Sequence, residues 1–550
     1  MYVTHIAPKM IKSMLAKLLF LCGSLVTFSQ FAWSCPSQCN CFNEVKVFCS
    51  GDAIEEIPLD IPTNVIDLVF WETYIHNLTN ASFERYGQLK KIIFVSNYIQ
   101  SINPNAFHGL IHLKDLEISA NPLSELAAGM LGELTELQKL SITHNAIKFL
   151  PCGLFDKTTQ LEILSLQGNN ISYICTSMFN PLVNLQELNL GSNEIEILST
   201  DHFNPLLNLR ILHLNNNHLT DCNKGIFDML TNLTELTLSG NRLREIYSST
   251  FSKLTSLRKL TLGSNLITRI SSNAFSTLLN LKWLTVERNQ IDFLTSGIFN
   301  GLQNLIHLSI GGNQLKHIPG HIFSSLDKLE TLVLSKNKIE KLHNTAFVGL
   351  ESLTHLYLDH NQLRIIEENT FKNLTNLAVI TLQNNRLTML PEGIFDGLYN
   401  LISLNLQKNR WWCSCLLMHF RNWIIENQEL TQLSDIVCEG PPHLHGKLVK
   451  HVKTREFNCT LTGNVIQRPS FKSMKILETE ISVAEEPLID CKGRYSYDGS
   501  INIFCEILTC KNIDVKLSVW NKSIPVKHSH INTKGEVLCP ANLTLSITTM

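Results

Sequence analysis

Charge of either sign is scarce in this sequence. Of its 550 residues 17% are Asp, Glu, Lys or Arg, and they sum to a formal net charge of -2. That excludes a global pull toward nucleic acid or an anionic membrane. Signatures of catalysis are missing as well. There is no H-E-x-x-H, no G-x-S-x-G, no phosphate-cradling glycine loop and no dinucleotide fingerprint. None of the 20 histidines is followed three residues later by Glu, which removes another zinc-ligand spacing. Beyond the N-terminus no stretch is long and apolar enough to span a bilayer, and no hydrophobic tail ends the sequence. These features read as a soluble, secreted, non-catalytic protein that needs no cofactor. What remains is 44% hydrophobic residues, too many for a disordered chain, over a length greater than one compact domain holds.

The N-terminus has the pattern of a secretory signal over residues 1–34. Lys9, Lys12 and Lys17 precede an apolar run from Leu18 to Phe31, and Ala32 and Ser34 supply the small positions before Cys35. An uncleaved anchor is the competing reading. Sixteen cysteines suit an oxidising compartment.

One pattern then dominates. "LTELTLSGNRLREIYSSTF", Leu233 to Phe251, returns 24 residues later as "LRKLTLGSNLITRISSNAF" and again as "LKWLTVERNQIDFLTSGIF". The frame L-x-x-L-x-L-x-x-N-x-L starts at Val65 and recurs without insertion; fourteen copies are complete and a fifteenth, from Leu401, runs into a cysteine cluster. An Asn column runs from Asn97 to Asn409 and a Phe column from Phe83 to Phe395, with Thr73 in the first Asn position and Leu131 in place of one Phe. A fixed period of this length is the sign of a solenoid. The L-x-L alternation predicts a short strand with one apolar side, and stacking pairs these strands into one parallel sheet. A buried Asn both donates and accepts, so it can turn the chain out of the strand while bonding neighbouring backbone. The Phe column predicts an aromatic spine on the outer side. One coil cannot bury its own core, so neighbours must stack, leaving the variable strand positions on a concave face.

This pattern resembles the leucine-rich repeat family in its 24-residue form. The resemblance implies an α/β solenoid, a horseshoe with a parallel sheet on the concave face, over residues 65–410. Its ends carry cysteine clusters: "CPSQCNCFNEVKVFC" (residues 35–64 as the cap) and "NRWWCSCLLMHFRNW" (cap 411–460). Spacing alone leaves three connectivities per cluster, and a zinc site competes for the C-x-C pairs. The resemblance implies Cys35–Cys41, Cys39–Cys49, Cys413–Cys438 and Cys415–Cys459. Residues 461–490 read as a linker. Residues 491–550, with Cys491, Cys505, Cys510 and Cys539, read as a small disulfide-stapled β unit of three strands, "INIFCEI", "DVKLSVW" and "ANLTLSI". Within the repeats a Cys152–Cys175 bridge is sterically open. Cys222 is then left over, either a buried apolar group or a link to another chain. Eight N-x-S/T sequons mark glycosylation candidates: Asn77, Asn80, Asn170, Asn232, Asn373, Asn458, Asn521 and Asn542.

On the concave face the early and middle strands offer small polar groups. Larger ones gather later: Trp283, Glu287, Arg288, His307, Lys336, His355, Tyr357, Asp359 and His360. Exposed aromatic and Arg side chains anchor protein interfaces, so this patch is the candidate partner site. A metal held by His355, Asp359 and His360 is the sharper alternative to plain surface polarity. The order of cap, repeats, "LPEGIFDGLYNLISLNLQKNRWWCSC" and four-cysteine β tail resembles the large, non-catalytic regulatory subunits of carboxypeptidase N. That resemblance implies a glycosylated plasma protein that binds and stabilises a catalytic zinc carboxypeptidase, in a heterotetramer. A secreted recognition or matrix protein binding another extracellular ligand is the alternative.

Overall fold

The computed structural model describes residues 35–457, except 44, 81, 223–224, 428–429 and 431–435, together with the backbone of five strands between 489 and 548. The signal reading at 1–34, most of the linker, Cys459, Cys510, Cys539, Asn458 and Asn521 lie outside the described residues. The chain divides into two units, residues 1–459 and 460–550.

The first unit is a solenoid. Its principal sheet has seventeen strands. Cys39–Asn43 and Lys46–Gly51 form an antiparallel cap hairpin, and Lys46–Gly51 pairs in parallel with Asp67–Thr73. Fifteen repeat strands follow in sequence order, each in parallel register with the strand 24 residues on, from Asp67–Thr73 to Ser403–Asn405. The outward arc is built mostly of turns, with short parallel pairs such as Asn77–Leu78 with Ser101–Ile102 and a 3-10 turn at Thr200–His202.

The letters of the repeat explain this architecture. Strand leucines such as Leu164, Leu188 and Leu212 are wholly buried, so every coil adds the same rung to one continuous core. The Asn column lies just beneath the surface. Asn313, 6% exposed, is typical. Its Oδ1 accepts the Ile291 N–H at 3.1 Å, while its Nδ2 donates to Val286 O at 3.0 Å and to Ile310 O at 2.9 Å. Backbone groups that the strand's end would strand are thereby paired across coils. Thr73 closes the series: its N–H and hydroxyl both bond Asn97 Oδ1, at 2.9 Å and 2.5 Å. The residue just before each Asn is left-handed in every coil, for example Arg288, Lys336 and His360 at φ 53°, 57° and 55°. The sequence reading did not register this position.

The Phe column stacks within the core. Phe179, Phe203, Phe227, Phe251 and Phe275 form one run, with ring centroids 6.2–6.4 Å apart. At the C-terminal end Trp423 meets Phe395 at 5.0 Å, so the cap helix Met418–Glu426 finishes the spine. Trp411 lies under Phe420 at 5.3 Å.

The caps are stapled by Cys35–Cys41, Cys39–Cys49 and Cys413–Cys438. Cys415 is disulfide-bonded too. Cys152 and Cys175 are bridged, and Cys222 is a buried free thiol whose desolvation pushes its pKa up to about 12.

Among the described residues the second unit shows five strands, where the sequence reading has three. Ile489–Tyr495, Ser500–Ile507 and Ala541–Thr548 form an antiparallel sheet, and Leu517–Val519 pairs with Lys522–Ile524. The first strand begins inside the stretch read as linker. Register places Cys491 opposite Cys505.

Candidate protein-binding face

Strand alternation decides which side chains can meet a partner. In each coil the residues flanking the central buried strand residue point to the concave side, and register lines them into rows. One row runs Trp283, His307, Thr331, His355; the next contains Val333 and Tyr357. Rows step by about 4.8 Å per coil, so Trp283 and His355 are separated by roughly 14 Å.

Seven of the nine candidate residues fall into two clusters. In the first, the Trp283 and His307 rings stack with centroids 3.7 Å apart and planes 13° apart. Trp283 is 43% exposed, a large ring offered to solvent. Burial holds the His307 imidazole below its usual pKa, against an opposing pull from the Glu287 carboxylate. Glu287 accepts from the Ser309 hydroxyl at 3.2 Å. A neutral, stacked imidazole extends the aromatic surface without adding charge.

The second cluster centres on Asp359. It accepts from Ser335 at 2.6 Å, from Thr381 at 2.9 Å and from His360 at 2.8 Å. Burial alone would raise its carboxyl pKa, but the hydrogen bonds from Ser335, His360 and Thr381 outweigh it and hold the group below its ordinary value. His355 bonds Thr354 at 2.8 Å and faces Tyr357, ring centroids 6.3 Å apart. Among the described residues no group of three or more His, Cys, Asp or Glu is arranged to hold a metal. Arg288 and Lys336 are exposed and sit two coils apart with Gly312 between them. The Arg288 stem lies against that glycine, 3.2 Å from where a Cβ would be.

Two further features escaped the sequence reading. The first two repeat strands carry Val69, Ile93 and Val95, half-buried, beside exposed Trp71, an apolar area at the N-terminal end of the concave face. Their runs "DLVFW" and "KIIFV" look like core, which hid the outward half. Separately, a second asparagine series stands just before the first Leu of many coils. Asn184, Asn208, Asn232, Asn280, Asn304, Asn376 and Asn400 each donate to a carbonyl of the preceding coil at 2.8–3.0 Å. Asn184, Asn208, Asn232 and Asn280 edge a polar groove of about 600 Å³ at the side of the sheet, with Arg210 and Arg258 in its walls.

Of the sequon asparagines, Asn77, Asn80, Asn232 and Asn373 are exposed, and Asn170 is half-buried with its amide on Glu194 at 2.9 Å. None of these five lies on a concave strand position.

The repeat unit also matches a known family model. The model described as "Leucine rich repeat" matches overlapping stretches that together span residues 64–219 and 231–411. The chain belongs to the leucine-rich repeat family. This solenoid is a scaffold for protein–protein interaction. A leucine-rich repeat protein of Leptospira interrogans is 27% identical, with a TM-score of 0.58 over 65% of this chain and 88% of that one. The Toll–Spatzle complex of Drosophila, in glycosylated form, matches at TM-score 0.66 and 24% identity over 75% of this chain and 58% of that chain, a likeness of fold. Among curated relatives, mouse Carboxypeptidase N subunit 2 is 37% identical over 60 residues, 11% of this chain and 11% of its own. The matched segment thus spans about a tenth of that relative. Among the described residues no helix is long and apolar enough to cross a membrane.

Proposed function

We propose that this chain is a secreted, non-catalytic regulatory subunit that binds and stabilises the catalytic zinc carboxypeptidase subunit of carboxypeptidase N, within a heterotetramer in plasma. The observation that carries the reading is the open concave sheet with a solvent-facing ring pair, Trp283 on His307, on strands free of sequons. Large rings held rigid by stacking bury much area at little cost in side-chain entropy, which is what interface hot spots do. The partner class is supported by the 60-residue match to mouse Carboxypeptidase N subunit 2 and by the order of caps, repeats and four-cysteine tail. Disulfides in the N-terminal cap, in the repeats and at Cys413–Cys438 support an extracellular setting. The sequons supply sites for the glycans of a plasma protein.

The test is capture from plasma by the tagged full chain. Carboxypeptidase activity toward C-terminal Arg is expected in the eluate and absent from the chain alone. Trp283→Ala and Tyr357→Ala are each expected to weaken capture by roughly tenfold or more without lowering secretion. An eluate without that activity removes the partner; unchanged capture by both variants removes the site.

A further inference from the structure

We propose that Asn232 carries an N-linked glycan and that its first sugars lie in the groove along the edge of the sheet. Every side chain lining that groove is an amide, hydroxyl, carboxylate or guanidinium. Such a wall suits a hydroxyl-rich ligand and offers nothing to an apolar one. Its volume of about 600 Å³ is that of a small-ligand cleft. Asn232 is itself part of the wall and begins the sequence Asn232-Leu233-Thr234.

Three details place a saccharide beside it. The second asparagine series is interrupted one coil later, where Ser256 stands at the corresponding position, so the wall steps back next to Asn232. Arg210 and Arg258 flank Thr234 on the neighbouring coils, both exposed, and among the described residues neither has a carboxylate partner. Guanidinium donors aimed at a groove can bind sugar hydroxyls and the N-acetyl carbonyl. Asn232 Nδ2 already gives one N–H to Leu207 O at 2.9 Å, which fixes the direction of the amide.

The chemistry balances simply. The donor is an oligosaccharide on a lipid diphosphate. The Nδ2–C1 bond forms, the C1–O bond to the diphosphate breaks, one amide proton is lost and the lipid diphosphate leaves. One Nδ2–H remains. The reaction precedes folding, so the sugar meets the groove as the coils close.

The proposal needs passage through the secretory pathway and no carboxypeptidase, so it fails or stands separately from the function above. The full chain is expressed in a secretory host, and each sequon's occupancy and glycosidase release rate are measured by mass spectrometry, on native and on denatured protein. The expected result is an occupied Asn232 whose glycan is released roughly tenfold more slowly from native than from denatured protein, while the glycan of Asn373 shows no such difference. In the Arg210→Gln/Arg258→Gln variant the native rate at Asn232 should rise to its denatured rate. An unoccupied Asn232, equal native and denatured rates in the wild type, or protection undiminished in the variant overturns the proposal. If the variant is not secreted, the wild-type ratio still decides.

Discussion

In a typical coil one asparagine amide bonds three or four backbone groups, and its removal shows what the column contributes. Asn313→Ala leaves the Ile291 N–H unpaired and removes one of two donors from the Val286 and Ile310 carbonyls, which keep the Asn289 and Asn337 amides at 3.1 Å. At 1–3 kcal/mol for the one buried group left unpaired, the cost should be about 2 kcal/mol, read as a lowered urea midpoint. An exposed change three residues on, Lys316→Ala, should leave the midpoint in place. Cys222 offers a second test at this scale. It is 2% exposed and its pKa is pushed up to about 12, so it is almost wholly protonated at pH 8. An alkylating reagent at that pH should leave it unlabelled in the native chain and label it fully once the chain is denatured. Fast native labelling would show that the coil around it opens. The two sites differ in legibility. The Asn column is one letter at one spacing and was read directly. The left-handed position before it is occupied by Ser, Arg, Lys, His, Gly and others, so no letter announced a backbone conformation that the asparagine bonds hold in place.

The cap helix Met418–Glu426 is the element on which the C-terminal end depends. It covers the last coils through Trp411, 1% exposed, which packs under Phe420 and donates its Nε1–H to Leu406 O at 3.2 Å. Trp411→Ala removes that ring and one of two donors to Leu406 O, which keeps the Asn409 amide at 3.0 Å. It should cost about 3–5 kcal/mol. The loss should be local, because coils contact only their neighbours. Amide exchange in residues 377–410 should accelerate strongly, while residues 137–280 keep their protection; uniform acceleration would mean that the solenoid melts as one unit. Elements of this kind were legible wherever a period or a cysteine pattern marked them. The fifteen repeat strands and the Phe spine follow from spacing, and the bridges Cys35–Cys41, Cys39–Cys49 and Cys413–Cys438 from the resemblance to leucine-rich repeat caps. Elements without a period were not. "IDCKGRY" forms a seven-residue strand despite its glycine and its charges, since pairing with Ser500–Ile507 outweighs weak strand propensity. The second asparagine series was overlooked because Gln, His, Glu, Ser and Lys share its column. The candidate face was legible as a list of large side chains. That Trp283 and His307 would stack while Asp359 gathered Ser335, Thr381 and His360 depends on rotamers, which strand spacing does not specify.

The solenoid as a whole is a sum of equal steps, and this makes it editable in units of its period. Deleting Leu185–Asn208 removes one coil and joins Asn184 to Leu209, leaving the frame intact. The Asn217 amide, which now takes the Ile195 N–H at 3.0 Å and gives to Leu190 O at 2.9 Å, would find the Ile171 N–H and Leu166 O in the same places. Phe227 would stack on Phe179 where Phe203 stood. The loss is one coil and one interface, so the shortened chain should be secreted and melt a few degrees lower. Deleting only Leu185–Glu196 takes the strand and its asparagine but leaves the turns, so two half-coils cannot close a core and secretion should fail. Equal failure of both deletions would show that the coils are not interchangeable. Partner capture gives the experiment its functional arm. The whole-coil deletion lies upstream of Trp283 and leaves the stretch from Trp283 to His360 in register. A partner gripping that stretch alone should be captured as before. If capture is lost while the chain still folds, the partner spans more of the concave face than the two clusters. The apolar area at Val69, Trp71, Ile93 and Val95, brought one coil closer, is then the next surface to mutate.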